Sequence, residues 1–141
     1  MSGPSLKKYH SHHSIHEGVY VEARELTTLL LKSIEEKKAE NYIQEITNAL
    51  IEHWEQRMLA HADSEEEGLF KERLAENPDL LEIVAKLKRD HQIMGILVEE
   101  IKTELQKEKV INEYVLDRFK ALLCMIQIHN REEEKHMFHE H

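Results

Sequence analysis

The chain has 141 residues, 33% of them charged and 40% hydrophobic, with only 4 Gly and 2 Pro. That length suits one compact domain, and so few turn formers argue against a sandwich or barrel built on tight turns. Its 28 acidic and 19 basic residues leave a net charge of -9, a surface expected to repel nucleic-acid phosphates and anionic lipid headgroups alike.

Helical periodicity runs through the sequence and strand alternation does not. Residues 1–10 are polar, lack the apolar stretch of a signal peptide, and are expected as a flexible arm. The first helix is predicted from about Ser11 to Lys38, with Ile15, Val19, Ala23, Leu26 and Leu30 on its apolar stripe. Asn41 and Gln44 offer a capping box for the second. Its stripe of Ile43, Ile46, Leu50, Trp54 and Met58 continues to Leu69. Asn77-Pro78 is a cap followed by a first-turn proline, and it predicts the start of a third helix. That helix carries Leu80, Val84, Leu87, Met94, Val98, Ile101 and Leu105. After a polar joint over 106–109, a fourth carries Ile111, Val115, Leu122 and Ile126 and reaches Phe138.

Amphipathic helices with short joints predict an all-α fold, an up-down-up-down antiparallel four-helix bundle spanning residues 1–141 as one domain. The apolar runs are too short to cross a bilayer. The lone Cys124 excludes an internal disulfide, suits a cytoplasmic location, and is expected to be a buried apolar residue.

The composition holds one oddity, 11 histidines. Two helices carry the same pattern, His61-x-x-x-Glu65-Glu66 and His129-x-x-x-Glu133-Glu134, followed at equal offset by Phe70 and Phe138. Residues four apart share a helix face. Trp54 and Leu122 each stand seven residues before their histidine, which places both histidines on the core stripe. His91 lies between Leu87 and Met94 on the third stripe. His16 precedes Val19, Ala23, Leu26 and Leu30 at the offsets His91 has to its own stripe. His12, one turn earlier, competes with His16 for that role. The midpoints between His16 and His61 and between His91 and His129 both fall at helix joints, so all four histidines can reach one level of a bundle.

Ionisable groups aimed at a dry core are costly unless paired, and a bound cation turns them into satisfied ligands. The expected set is His16, His61, Glu65, His91, His129 and Glu133. That is too many donors for one tetrahedral zinc. It suits two ions bridged by the carboxylates and a solvent-derived oxygen, iron first and manganese next. Gly95 and Gly68, on or near the ligand face, are expected to keep space open there. Glu66 and Glu134 turn about 100° from the ligand direction, to the surface or behind the ligands. His53 is off the stripe and expected to be exposed. His10, His13, His139 and His141 are expected to face solvent near the ends. Tyr20 is a candidate donor to a ligand at the metal.

These residues give the chain a resemblance to the hemerythrin-like, or HHE cation-binding, domains. It is carried by the segments 59–70 and 129–138, Asp90-His91 and Ile15-His16-Glu17, in the order His, His-x-x-x-Glu, His, His-x-x-x-Glu. The resemblance implies an oxo- and carboxylate-bridged pair of Fe ions, with Mn or Zn as substitutes, and binding of dioxygen or nitric oxide. The pattern departs from the oxygen carriers of that family. Gly95 stands where they have a second third-helix histidine, and Glu133 stands four rather than five after its histidine. His12 and His136 are the candidates to fill that vacancy.

A binding protein for a small diatomic, acting as store, scavenger or iron and redox sensor, is therefore expected ahead of an enzyme. A di-iron enzyme reducing peroxide or nitric oxide is the first alternative. A helical interaction domain without a functional metal is the second.

Overall fold

The computed structural model describes residues 4–138, and every regular element among them is helical. His139 and His141 lie outside the described residues. Helix α1 runs Pro4–Glu35, so the stretch 4–10, expected as an arm, is helical. Next come α2 (Glu40–His53), a π-helical turn (Trp54–Leu59), α3 (Ala60–Glu67) and α4 (Leu69–Glu76). A 3-10 turn (Pro78–Leu80) leads into α5 (Leu81–Glu108), and α6 (Glu113–Met137) completes the chain. None of these helices is long and apolar enough to cross a membrane.

The expected cap at Asn77 forms, and Asn112, not anticipated as a cap, forms another. The Asn77 side chain accepts from the Asp79 amide at 3.1 Å, and Asn112 accepts from the Val115 amide at 3.1 Å, each satisfying a donor that a helix start leaves unpaired. The expected Asn41 capping box does not form. The helix begins one residue earlier, at Glu40, behind Ala39, which makes no side-chain cap bond. Lys37 and Lys109 end their helices in the left-handed region, at φ 55° and 65°. A non-glycine residue adopts this at a cost of about 1–2 kcal/mol, offset by helix packing on either side.

The second predicted helix is helical without a gap from Glu40 to Glu67 but not uniform in winding. Ile46, Leu50, Trp54, Met58 and Ala62 are all buried, at a spacing of four. An α-helix overshoots by about 40° at each such step, from 3.6 residues per turn. The π turn, with its wider i→i+5 closure, absorbs much of that drift and keeps the stripe facing inward. Gly68 then breaks the helix at φ -112° and ψ -82°. A Cβ there would stand 3.3 Å from the Ser64 carbonyl oxygen. Glycine at 68 therefore serves the bend rather than open space beside a metal.

Helix α1 packs on α2 and α6, and α5 packs on α6 and the π turn. The main core is built on Leu30, Leu50, Trp54, Met94, Ile101, Phe119, Leu122 and Ile126. Full burial of each large apolar side chain contributes about 1.5–3 kcal/mol. A smaller cluster of Phe70, Val84, Leu87 and Met137 forms separately. His91 falls between Leu87 of the small cluster and Met94 of the main one, and His129 falls between Ile126 and Met137. A polar layer thus divides the two apolar regions.

Three expectations about burial fail outside this layer, the first at Ile15, placed on the apolar stripe of α1 but 46% exposed. His53 is only 4% exposed, and its Nε2 lies 2.8 Å from the Val19 carbonyl oxygen. His53 stands seven residues after Ile46 in regular α-helix, so nearly two full turns return it to the buried face, and the π turn that follows brings Trp54 inward beside it. Cys124 is exposed, because its flank of α6 lies beside, not on, the stripe of Leu122 and Ile126.

Candidate metal centre

The six expected ligands converge, and His12 joins them. Among the described residues, two groups have their donor atoms close enough to hold an ion. One is His12, His16, His61 and Glu65; the other is Glu65, His91, His129 and Glu133. Helices α1, α3, α5 and α6 each contribute. Glu65 and Glu133 are buried, Glu133 completely, and so are His16, His91 and His129.

Glu65 presents one oxygen to each group. Its Oε2 lies 2.7 Å from His12 Nε2, 3.1 Å from His16 Nε2 and 2.9 Å from His61 Nε2. Its Oε1 lies 3.3 Å from His91 Nε2. Glu133 does the same, with Oε2 2.7 Å from His12 Nε2 and Oε1 3.1 Å from His129 Nε2. Both carboxylates are placed to bridge.

Three histidines are oriented from behind by carboxylates of other helices. His129 Nδ1 donates to Asp90 on α5, His91 Nδ1 to Glu66 on α3, and His16 Nδ1 to Glu134 on α6, each at 2.8 Å. An ionised carboxylate only accepts, so the proton sits on Nδ1 and each Nε2 turns a lone pair inward. This is the arrangement that sets the tautomer of metal-binding histidines. The sequence places Glu66 and Glu134 at the surface or behind the ligands, and they lie behind. Asp90 had no role assigned, although its place next to His91 is a usable signal.

Metal-free hydrogen bonding does not satisfy this layer. His61 Nε2 and Glu65 Oε1 are buried without a hydrogen bond. His91 Nε2 and His129 Nε2 stand 3.0 Å apart with both Nδ1 protons already committed, so lone pair faces lone pair unless a proton or cation intervenes. Three imidazole nitrogens crowd one oxygen of Glu65, more than its lone pairs accommodate well. The buried His and Glu donors could hold a metal ion.

The electrostatics agree. Burial alone would raise the Glu65 pKa, yet the imidazoles of His12, His16, His61 and His91 around it hold it far below the usual carboxylate range. Burial pulls His12 down, but Glu133 and Glu65 outweigh it and raise the imidazole to about 9. His129 is likewise raised, with Glu133 and Asp90 overcoming burial. A site that draws protons onto imidazoles this strongly is a site prepared for positive charge.

Aromatic rings flank the layer. Phe70 stacks on His91 at 5.8 Å and 5°, and Phe138 lies 5.2 Å from the His12 ring. The paired phenylalanines of the repeated motif thus shield one histidine of each group.

The remaining candidates separate. His136 Nε2 lies 3.5 Å from Glu132, outside both groups. His13, expected to face solvent, is half-exposed and donates from Nδ1 to Glu134 at 2.8 Å. Tyr20 lines a basin of about 630 Å³ between α1 and α6, with His16 and Glu134. His10 is exposed.

Comparison of the chain with protein-family models, curated proteins and solved structures gives no match.

Proposed function

We propose that this protein is a hemerythrin-like domain, an up-down-up-down antiparallel four-helix bundle that binds two non-haem iron ions. On this reading it takes up dioxygen or nitric oxide as a store, scavenger or redox sensor. The observation that carries the reading is that Glu65 turns one oxygen to His12, His16 and His61 and the other to His91, while Glu133 turns one to His12 and the other to His129. Two bridging carboxylates with imidazoles on both sides suit two ions rather than one.

The bound pair would supply redox-active metal with an exchangeable coordination position. The chain supplies the rest. Asp90, Glu66 and Glu134 hold the imidazoles in the ligating tautomer. Phe70, Leu87 and Met137 on one side and Met94 and Ile126 on the other exclude water from the layer. Five imidazoles dominate the donor set, which favours reversible binding over oxygen cleavage. The short joints over 36–39 and 109–112, with His16 and Glu65 meeting across α1 and α3, support the antiparallel arrangement.

Metal analysis of protein purified from its native host tests this directly. Two irons per chain are expected, with near-ultraviolet absorption of a bridged ferric pair. Absence of bound metal, or a single ion, would sink it. Steady turnover of peroxide or nitric oxide with a reductant would make the protein an enzyme instead.

A further inference from the structure

The α1–α2 and α5–α6 joints line one hollow of about 510 Å³. It lies where α5 ends, well away from the metal centre. His91 and Glu108, the last residue of α5, are roughly 25 Å apart at about 1.5 Å per residue.

The walls of the hollow are apolar. Ile34, Ile43, Leu105 and Ile111 line it and are only partly buried, packed against the end of the main core. Val110 lines it too and is exposed. Thr47 is buried in the wall, but its hydroxyl donates to the Ile43 carbonyl oxygen at 2.8 Å, so it has no donor left to offer. Small-molecule sites have this volume and this character, mostly apolar with a few polar groups at fixed places.

The rim supplies the polar groups. Its charged side chains are Lys38, Lys109 and Glu40. Lys38 has only a long contact of 3.8 Å to Glu36, and Lys109 makes no ion pair among the described residues. The ends of α1 and α5 and the starts of α2 and α6 meet here, so helix dipoles of both signs offset one another and the lysines set the sign. In a chain of net charge -9, a cationic rim on an apolar hollow runs against the general field. A second copy of the chain suits it poorly, because an isologous contact brings the lysines of both copies together.

We propose that this hollow binds a straight-chain carboxylate of medium length. The alkyl chain lies against Ile34, Ile43, Leu105 and Ile111, and the carboxylate sits between Lys38 and Lys109.

Decanoate is the probe, added to the whole chain below its micelle-forming concentration and read by calorimetric titration. One decanoate per chain is expected, with metal or without. Each methylene withdrawn from water adds roughly fourfold in affinity, so hexanoate should bind at least tenfold more weakly. Decanol, of equal length but uncharged, should also bind at least tenfold more weakly. Lys109→Glu reverses charge on the rim and Val110→Trp places an indole at the hollow; each should weaken decanoate at least tenfold. Both positions are exposed, so both variants should keep the wild-type melting temperature. If one fails to fold, the other decides together with hexanoate and decanol. Absence of saturable binding overturns the proposal, as does wild-type affinity in either folded variant, or hexanoate or decanol binding as tightly as decanoate. So does a wild-type dimer in sedimentation that Val110→Trp dissociates, because a second copy would then cover the hollow.

Discussion

His12 Nε2 lies 2.7 Å from the Oε2 of Glu133, a residue 121 positions further along the chain. The contact closes the start of α1 onto the end of α6. It also joins an imidazole to a fully buried carboxylate, so the stability of the metal-free chain must depend on protonation.

The direction follows from the two shifted groups. His12 is raised from 6.5 to about 9, so its contribution is complete below pH 6.5 and is lost as pH climbs to 9. Glu65 is depressed below 4.5, so its contribution is present above pH 4.5 and is lost as pH falls. The metal-free protein should melt highest between about pH 4.5 and 6.5 and lose stability from there to pH 9. Metal reverses the alkaline limb, because ligation requires neutral imidazole. Melting curves across pH, with chelator and with saturating metal, check both limbs; a metal-free melting temperature that rises from pH 6.5 to 9 contradicts the account.

His61→Ala and His129→Ala should each lose bound metal. A ligand at about 100 times its Kd contributes roughly 2.7 kcal/mol, so the metal-loaded melting temperature should fall by about 10 °C. His53→Ala separates packing from ligation. It removes a buried contact to Val19 and should cost about 1–3 kcal/mol while both metals stay bound. Metal loss in His53→Ala equal to that in His61→Ala would mean the π turn, not the ligand set, governs the site.

Asp90 and Glu134 touch no ion in this scheme; they position His129 and His16. Asp90→Ala and Glu134→Ala should each lower metal affinity about 10- to 100-fold, measured by competition with a chromogenic chelator, with the metal-free helix content unchanged. Unaltered affinity in both variants would show that imidazole orientation is set by packing alone.

The π turn offers a test of winding. Gln56 is an exposed residue within it, and its deletion should convert the turn to α-helix and leave His61 and Glu65 facing inward with two metals bound. Gln92, equally exposed, lies in uninterrupted α5. Deleting it turns His91 by about 100° relative to Met94 and Val98 and should abolish binding. Equal metal content in the two deletion variants would refute the role given to the π turn.

Much of the ligand layer was legible in the order of residues. A histidine seven after Trp54 or Leu122 must share their face, because two helical turns nearly equal seven residues. That periodicity identified His16, His61, His91 and His129, and the turn-on glutamates with them. It left His12 and His16 as rivals, since residues four apart on one helix are neighbours and spacing alone cannot exclude either. The structure uses both. Too narrow a stripe misses His53, although it stands seven residues after Ile46, and Cys124 is misplaced when residue type is weighed over its place off the stripe of Leu122 and Ile126.

The helical class, the stripe on each helix and the inward aim of the repeated His-x-x-x-Glu pairs are local properties, determined by side-chain chemistry and a period of 3.6 residues. Contacts between helices are not. The pairing of Asp90 with His129, the reach of Glu134 to His16 and the division of five imidazoles into three and two depend on how helices far apart in sequence are rotated against each other. Packing of the whole core sets that rotation, so it emerged only with the tertiary structure.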